Sequence, residues 1–180
     1  MIDAARTTFW SNGFAATSIT DLCESTQLSV GSIYKAFDSK AGLGRRTLDD
    51  YLDNGLACIS ELLAGSDTAL RGLEAWLSLM AERAGSRAPD RGCYAVVCAT
   101  ELAANDADIR ARLRAHDRKL RAQVAGAIRL AVAEGDLRGD PEAGARLLCA
   151  TVNGVHVEAR KGISTAEASG ILRMALNALR

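Results

Sequence analysis

The chain has 180 residues, 48% hydrophobic and 24% charged, with 22 basic residues balanced by 22 acidic ones. That composition excludes a disordered chain and leaves room for one large domain or two small ones with a sizeable core. No apolar run approaches the roughly 20 residues needed to cross a bilayer, and Met1-Ile2-Asp3 lacks the basic start of a secretory signal, so a cytoplasmic protein is expected, with no membrane contact.

Two prolines and an excess of Ala and Leu point to an all-α chain, and strand-like alternation is missing. The first helix is expected over Ile2–Ser11 and stops at Asn12-Gly13. A second starts near Ser18, whose side chain, with Asp21 three residues on, reads as a capping box. The turn runs through Thr26-Gln27-Leu28, and Ser29 opens a third helix with Ile33 and Phe37 facing inward. Ser39 caps a long fourth helix through Leu63, and Asp67 caps a fifth that ends near Gly85. A loop surrounds Pro89. Cys93–Ala104 is apolar almost all round and reads as a buried central helix. Asp108–Glu134 is a long helix closed by Gly135. Asp140-Pro141 starts one that runs to about Lys161, and Thr165 caps the last.

The segment Gly13–Leu43 carries the functional signal. Two short helices joined by a tight turn can place the second in the major groove of DNA. Ser29, Val30, Gly31 and Ser32 stand at the leading end of that helix. The two serines can bond bases or phosphates, Val30 can meet a thymine methyl, and Gly31 allows close backbone approach. Tyr34 and Lys35 reach toward phosphate. Lys40, in the first turn of the next helix, and Thr17 with Ser18 at the second helix offer further phosphate sites. Arg6, Lys35, Lys40, Arg45 and Arg46 are offset within residues 1–50 by Asp3, Asp21, Glu24, Asp38, Asp49 and Asp50. No broad basic field surrounds the reader, so contact must come from local placement, with phosphate contacts making binding strongly salt-dependent. That near-neutral charge is the best support for a helical interaction module without DNA binding.

Phe9, Gly13-Phe14, Thr17-Ser18-Ile19, Leu22, Gly31, Ile33-Tyr34, Phe37, Ser39-Lys40 and Leu43 stand at the spacing seen in the TetR family of bacterial transcriptional regulators, which this sequence resembles. The stretch from Arg91-Gly92-Cys93 through Glu101-Leu102-Ala103 is similar to one subgroup. The resemblance implies an N-terminal three-helix helix-turn-helix domain over residues 1–43, continuing into the start of the long fourth helix, followed over 44–180 by a helical ligand-binding and dimerisation domain. It also implies a homodimer on double-stranded operator DNA, usually a repressor released by a small-molecule effector. Two departures stand out. Gln27 occupies a turn position where the family usually has Gly, at a cost on the order of 1 kcal/mol if φ is positive there. The chain also begins with the family's first helix already under way, without a basic arm ahead of it. That implies weaker phosphate binding, or an N-terminal stretch not included.

In the helical body, Trp76, Met80, Tyr94, Val97, Cys98, Val124, Asn153 and His156 are candidate effector contacts. Tyr94, Asn153 and His156 stand out because each brings a polar group into apolar surroundings and needs a partner. Five cysteines, odd in number and without zinc-ligand spacing, are expected to be thiols. Cys93, near Arg91 and at a helix start, opens the alternative of a thiol-based redox or electrophile sensor on the same scaffold. The run Arg110, Arg112, Arg114, His116, Arg118, Lys119, Arg121 reads as a solvated helix face, with an acidic ligand as the sharper alternative. The last two helices carry broad apolar stripes suited to a four-helix dimer interface. No metal cluster, phosphate-binding Gly loop or nucleophile–base motif is found, so neither a cofactor nor an enzyme is expected.

Overall fold

A computed structural model describes residues 1–86 and 92–180. Among them are nine helices and no strand: α1 (Ile2–Asn12), α2 (Ile19–Thr26), α3 (Val30–Phe37), α4 (Lys40–Ala64), α5 (Ala69–Gly85), α6 (Tyr94–Glu101), α7 (Ala107–Ala133), α8 (Pro141–Ala159) and α9 (Thr165–Asn177). The all-α fold with an N-terminal helix-turn-helix is thus as the sequence suggests. The loop around Pro89 and the position of Arg91 lie outside the described residues. No described helix is long and apolar enough to cross a membrane.

The chain forms two compact units: Met1–Asn54 with Tyr94–Arg114, and Gly55–Cys93 with Ala115–Arg180. Beyond the expected helix-turn-helix residues 1–43 and the start of the fourth helix, the first unit also takes in all of α6 and the start of α7. The reason is packing and charge between distant stretches. Tyr94 is buried against Trp10 and Tyr51, with ring centroids 5.6 and 5.7 Å away. Its hydroxyl bonds the buried Thr47 hydroxyl at 3.0 Å. Arg45 of α4 pairs with Asp106 at 3.0 Å, and Arg112 of α7 pairs with Asp49. Ala5, Phe9, Leu22, Ile33, Leu43 and Leu48 complete this core.

The second unit packs α5, α8 and α9 with the later parts of α4 and α7. Leu73, Trp76, Leu77, Val124, Ile128, Leu148, Val155 and Leu172 are buried at its centre. Several helix limits differ from expectation. The α5 cap is Thr68, which accepts from Arg71 N–H at 3.2 Å, rather than Asp67. The α9 cap is Ser164, one residue before Thr165, because Ser164 is the residue that closes a reciprocal box with Glu167. The eighth helix stops at Ala159. α6 is shorter and more one-sided than its apolar sequence suggests: Tyr94, Val97 and Cys98 are buried, whereas Ala99, Thr100 and Glu101 face outward.

His156 is one of the buried titratable groups of this unit. It is 3% exposed, and its Nδ1 is buried without a hydrogen bond among the described residues. Burial, helped by the Arg83 charge, lowers its pKa from 6.5 to about 4. The native state therefore keeps His156 neutral down to about pH 4, whereas the unfolded chain protonates near 6.5. Between those values the unfolded chain binds more protons, so stability is full above that window and is lost as pH falls through it. The total loss is about 3 kcal/mol. Urea unfolding at stepped pH should show this decline in the native protein and a flatter profile in His156→Gln; equal profiles would contradict it.

Candidate nucleic-acid interface

The reader begins where α1 stops. Gly13 ends α1 at φ 81°, in the left-handed region that glycine adopts without strain, and its N–H bonds Phe9 O. The chain then turns through Phe14, whose ring stacks on Phe9 at 4.9 Å. A Cβ on Gly44 would lie 2.6 Å from that ring, so a glycine of α4 makes room for it. Ser18 then caps α2: its hydroxyl accepts from Asp21 N–H at 3.1 Å, and Asp21 accepts from Ser18 N–H at 2.7 Å. Those bonds favour the ionised carboxylate and lower the Asp21 pKa.

The turn into α3 pivots on Gln27, which adopts φ 59° and ψ 28°. The departure noticed in the sequence is therefore a left-handed residue without glycine's freedom. Its side-chain amide donates to Glu24 O at 2.6 Å, a partial compensation.

α3 is held by few side chains. Ile33 is fully buried and Phe37 half-buried, while Ser29, Val30, Gly31, Ser32, Tyr34 and Lys35 are all exposed. Ser29 caps the helix by accepting from Ser32 N–H at 3.1 Å, and the two hydroxyls lie 2.9 Å apart. Val30 and Tyr34, one helical turn apart, are each 46% exposed. An apolar pair on the face opposite the core, flanked by two hydroxyls and Lys35, suits thymine methyls, sugar edges and phosphates. Lys35 makes no ion pair among the described residues.

Two expected phosphate contacts are engaged inside the protein. Thr17 is buried, and its hydroxyl donates to Gly13 O at 2.7 Å. Lys40 Nζ donates to Phe14 O at 2.9 Å and Thr17 O at 2.8 Å and lies 4.7 Å above the Phe14 ring. It has three donors in all, so at most one stays available for phosphate. Arg46, which the sequence reading passed over, is exposed on α4 and makes no ion pair among the described residues.

The geometry is that of a helix-turn-helix, and the families agree. Residues 1–46 match the model of bacterial regulatory proteins of the tetR family. Residues 69–173 match the tetracyclin repressor-like C-terminal domain. The chain belongs to the TetR family. It is a DNA-binding transcriptional regulator by that membership. A cysteine mutant of the TetR-family regulator CifR, solved with a 26-bp double-strand operator DNA, is similar at a TM-score of 0.86 and 26% identity, over 99% of this chain and 94% of that one. A TetR-family regulator from Agrobacterium tumefaciens is similar at 0.89 and 25% identity, again over 99% and 94%. The HTH-type transcriptional repressor ComR of Escherichia coli (strain K12) is 30% identical over 109 residues, 60% of this chain. That match spans about half, 52%, of ComR.

The eight candidate effector contacts fall in different places. Trp76, Met80, Val124 and His156 are buried in the second unit, Tyr94, Val97 and Cys98 in the core of the first, and Asn153 is exposed on α8. The Tyr94 hydroxyl already has Thr47 as partner, and burial raises its pKa, so it stays protonated. A cavity of about 350 Å³ opens between α5 and α9, lined by Glu74, Leu77, Ser78, Leu172, Arg173 and Arg180 among others, none of them a candidate contact. The arginine run is partly engaged: Arg110 donates to Ala103 O at 2.6 Å, Arg112 pairs with Asp49, and Arg121 pairs with Asp117 at 2.5 Å. Of the five thiols, Cys98 and Cys149 are buried, and burial pushes Cys149 up to about 12. Cys93 is half-buried immediately before α6.

Replacing Gln27 by Gly should raise unfolding stability by about 1 kcal/mol, since the left-handed conformation no longer opposes a side chain. Chemical denaturation checks it; a loss of stability in Gln27→Gly would contradict the strain.

Proposed function

We propose that the chain acts as a homodimeric repressor that binds an operator through paired α3 helices and is released by a small-molecule effector held in the helical body. The observation that carries the dimer is the surface of the last two helices. Leu147 and Val157 of α8 and Ile171 and Met174 of α9 are exposed, Met174 at 74%. A Cβ on Gly154 or Gly170 would meet nothing within 4 Å, so the same two helices also offer flat ground for close approach. Large apolar side chains left in water on two neighbouring helices suit burial against a second copy. A dimer supports the DNA role, because two α3 helices about 34–36 Å apart meet successive major grooves.

The repressor reading draws on the likeness to ComR, and the operator reading on the likeness to the CifR complex. For the effector, His156 is the best-supported contact. It is buried in the same unit as Trp76, Met80 and Val124, and its Nδ1 has no hydrogen bond among the described residues, so a polar group on an apolar ligand would satisfy it. An effector that favours a different separation of the α3 helices would lower operator affinity by shifting the population. The half-buried position of Cys93 supports thiol modification as the alternative trigger.

Sedimentation of the native protein and of Val157→Glu/Met174→Glu tests this, alongside anisotropy titrations on a duplex from the DNA flanking the protein's own gene. The native chain should sediment as a dimer. The variant should stay folded, become monomeric and bind that duplex roughly tenfold or more weakly. Tight binding by a monomeric native chain would contradict the proposal.

A further inference from the structure

The subgroup motif ending Glu101-Leu102-Ala103 finds its use at the reader. Glu101 is the last residue of α6, and its Oε2 accepts from Phe14 N–H at 2.8 Å, across 87 residues of sequence. Both carboxylate oxygens lie 3.2 Å from where a Cβ on Gly13 would stand, so the glycine leaves the space that the carboxylate fills. Two carbonyls of the same turn are held from α4, with Lys40 Nζ donating to Phe14 O and Thr17 O. Phe14 is therefore held at its N–H by α6, at its carbonyl by α4, and at its ring by Phe9 and Gly44. It lies four residues ahead of the Ser18 cap of α2. Its backbone thus sets where α2, and after it α3, begins.

We propose that Glu101 is a positioning residue for DNA binding: its carboxylate fixes the Gly13-Phe14 turn and so couples the placement of α6 to the pose of α2 and α3. A carboxylate accepting from a backbone N–H is among the stronger hydrogen bonds, and a backbone N–H without one is left to water. A shift of α6 that withdraws Glu101 loosens the turn without touching a DNA-contacting side chain. The inference rests on the regulator reading above and adds to it the link by which α6 reaches the reader.

The test compares Glu101→Ala and Glu101→Gln with the native protein in two readouts. One is amide hydrogen exchange at Phe14. The other is affinity for the duplex flanking the gene, at several salt concentrations and well below the unfolding temperature. In Glu101→Ala the Phe14 amide should lose protection while core amides of α5 and α8 keep theirs. Affinity should fall about fivefold or more, with an unchanged salt slope because no phosphate contact is lost. Glu101→Gln keeps an acceptor oxygen and should stay within about twofold of native. Native affinity in a folded Glu101→Ala, or unchanged Phe14 protection, overturns the inference. A native chain that fails to distinguish the duplex from a scrambled one instead sinks the regulator reading, and the Phe14 amide still reads the tether.

Discussion

The reader is made of helices too short to hold their own shape. α2 and α3 have eight residues each, below the length at which an isolated helix persists in water. Their caps satisfy the leading N–H groups, but their pose comes from tertiary anchors: Leu22 under α2, Ile33 under α3, and the fixed backbone at Phe14. α3 can offer so much of its surface because one fully buried side chain and one half-buried ring are enough to seat it once the turn before it is fixed. The price is dependence on residues far along the chain, Glu101 among them.

Charge is arranged to the same end. Arg6 pairs with Asp50, and Arg45 with Asp106, while Lys40 donates to carbonyls. Three of the five cations in the first fifty residues thus organise the first unit from within, leaving Lys35 and Arg46 outward. A reader with so little positive field gains less from long-range attraction. In the proposed dimer, fit at α3 and the doubling of contacts through a second copy would make up for that weak field.

What could be read from the sequence was local. The caps at Ser18, Ser29 and Asp140 are legible because a cap and its helix lie within three residues of each other. Where two hydroxyl or acidic residues stand side by side, as at Asp67-Thr68 and Ser164-Thr165, pattern alone does not choose, and geometry selects the second in one case and the first in the other. The Gln27 strain is legible because the family resemblance marks that turn position. The division into units is not, since it follows Tyr94–Thr47, Arg45–Asp106 and Glu101–Phe14, pairs separated by 47, 61 and 87 residues. The internal duties of Thr17 and Lys40 were hidden for the same reason: a surface-type residue in a binding motif looks identical in sequence whether it faces phosphate or a carbonyl.

In vitro selection of duplexes from a random library by the purified protein tests the central claim most directly. The account predicts enrichment of an inverted repeat whose half-site centres lie a whole number of helical turns apart, with the preferred bases blurred when Val30 and Tyr34 are replaced by Ala. Failure to enrich any motif at low salt, or a motif indifferent to Val30 and Tyr34, would contradict it.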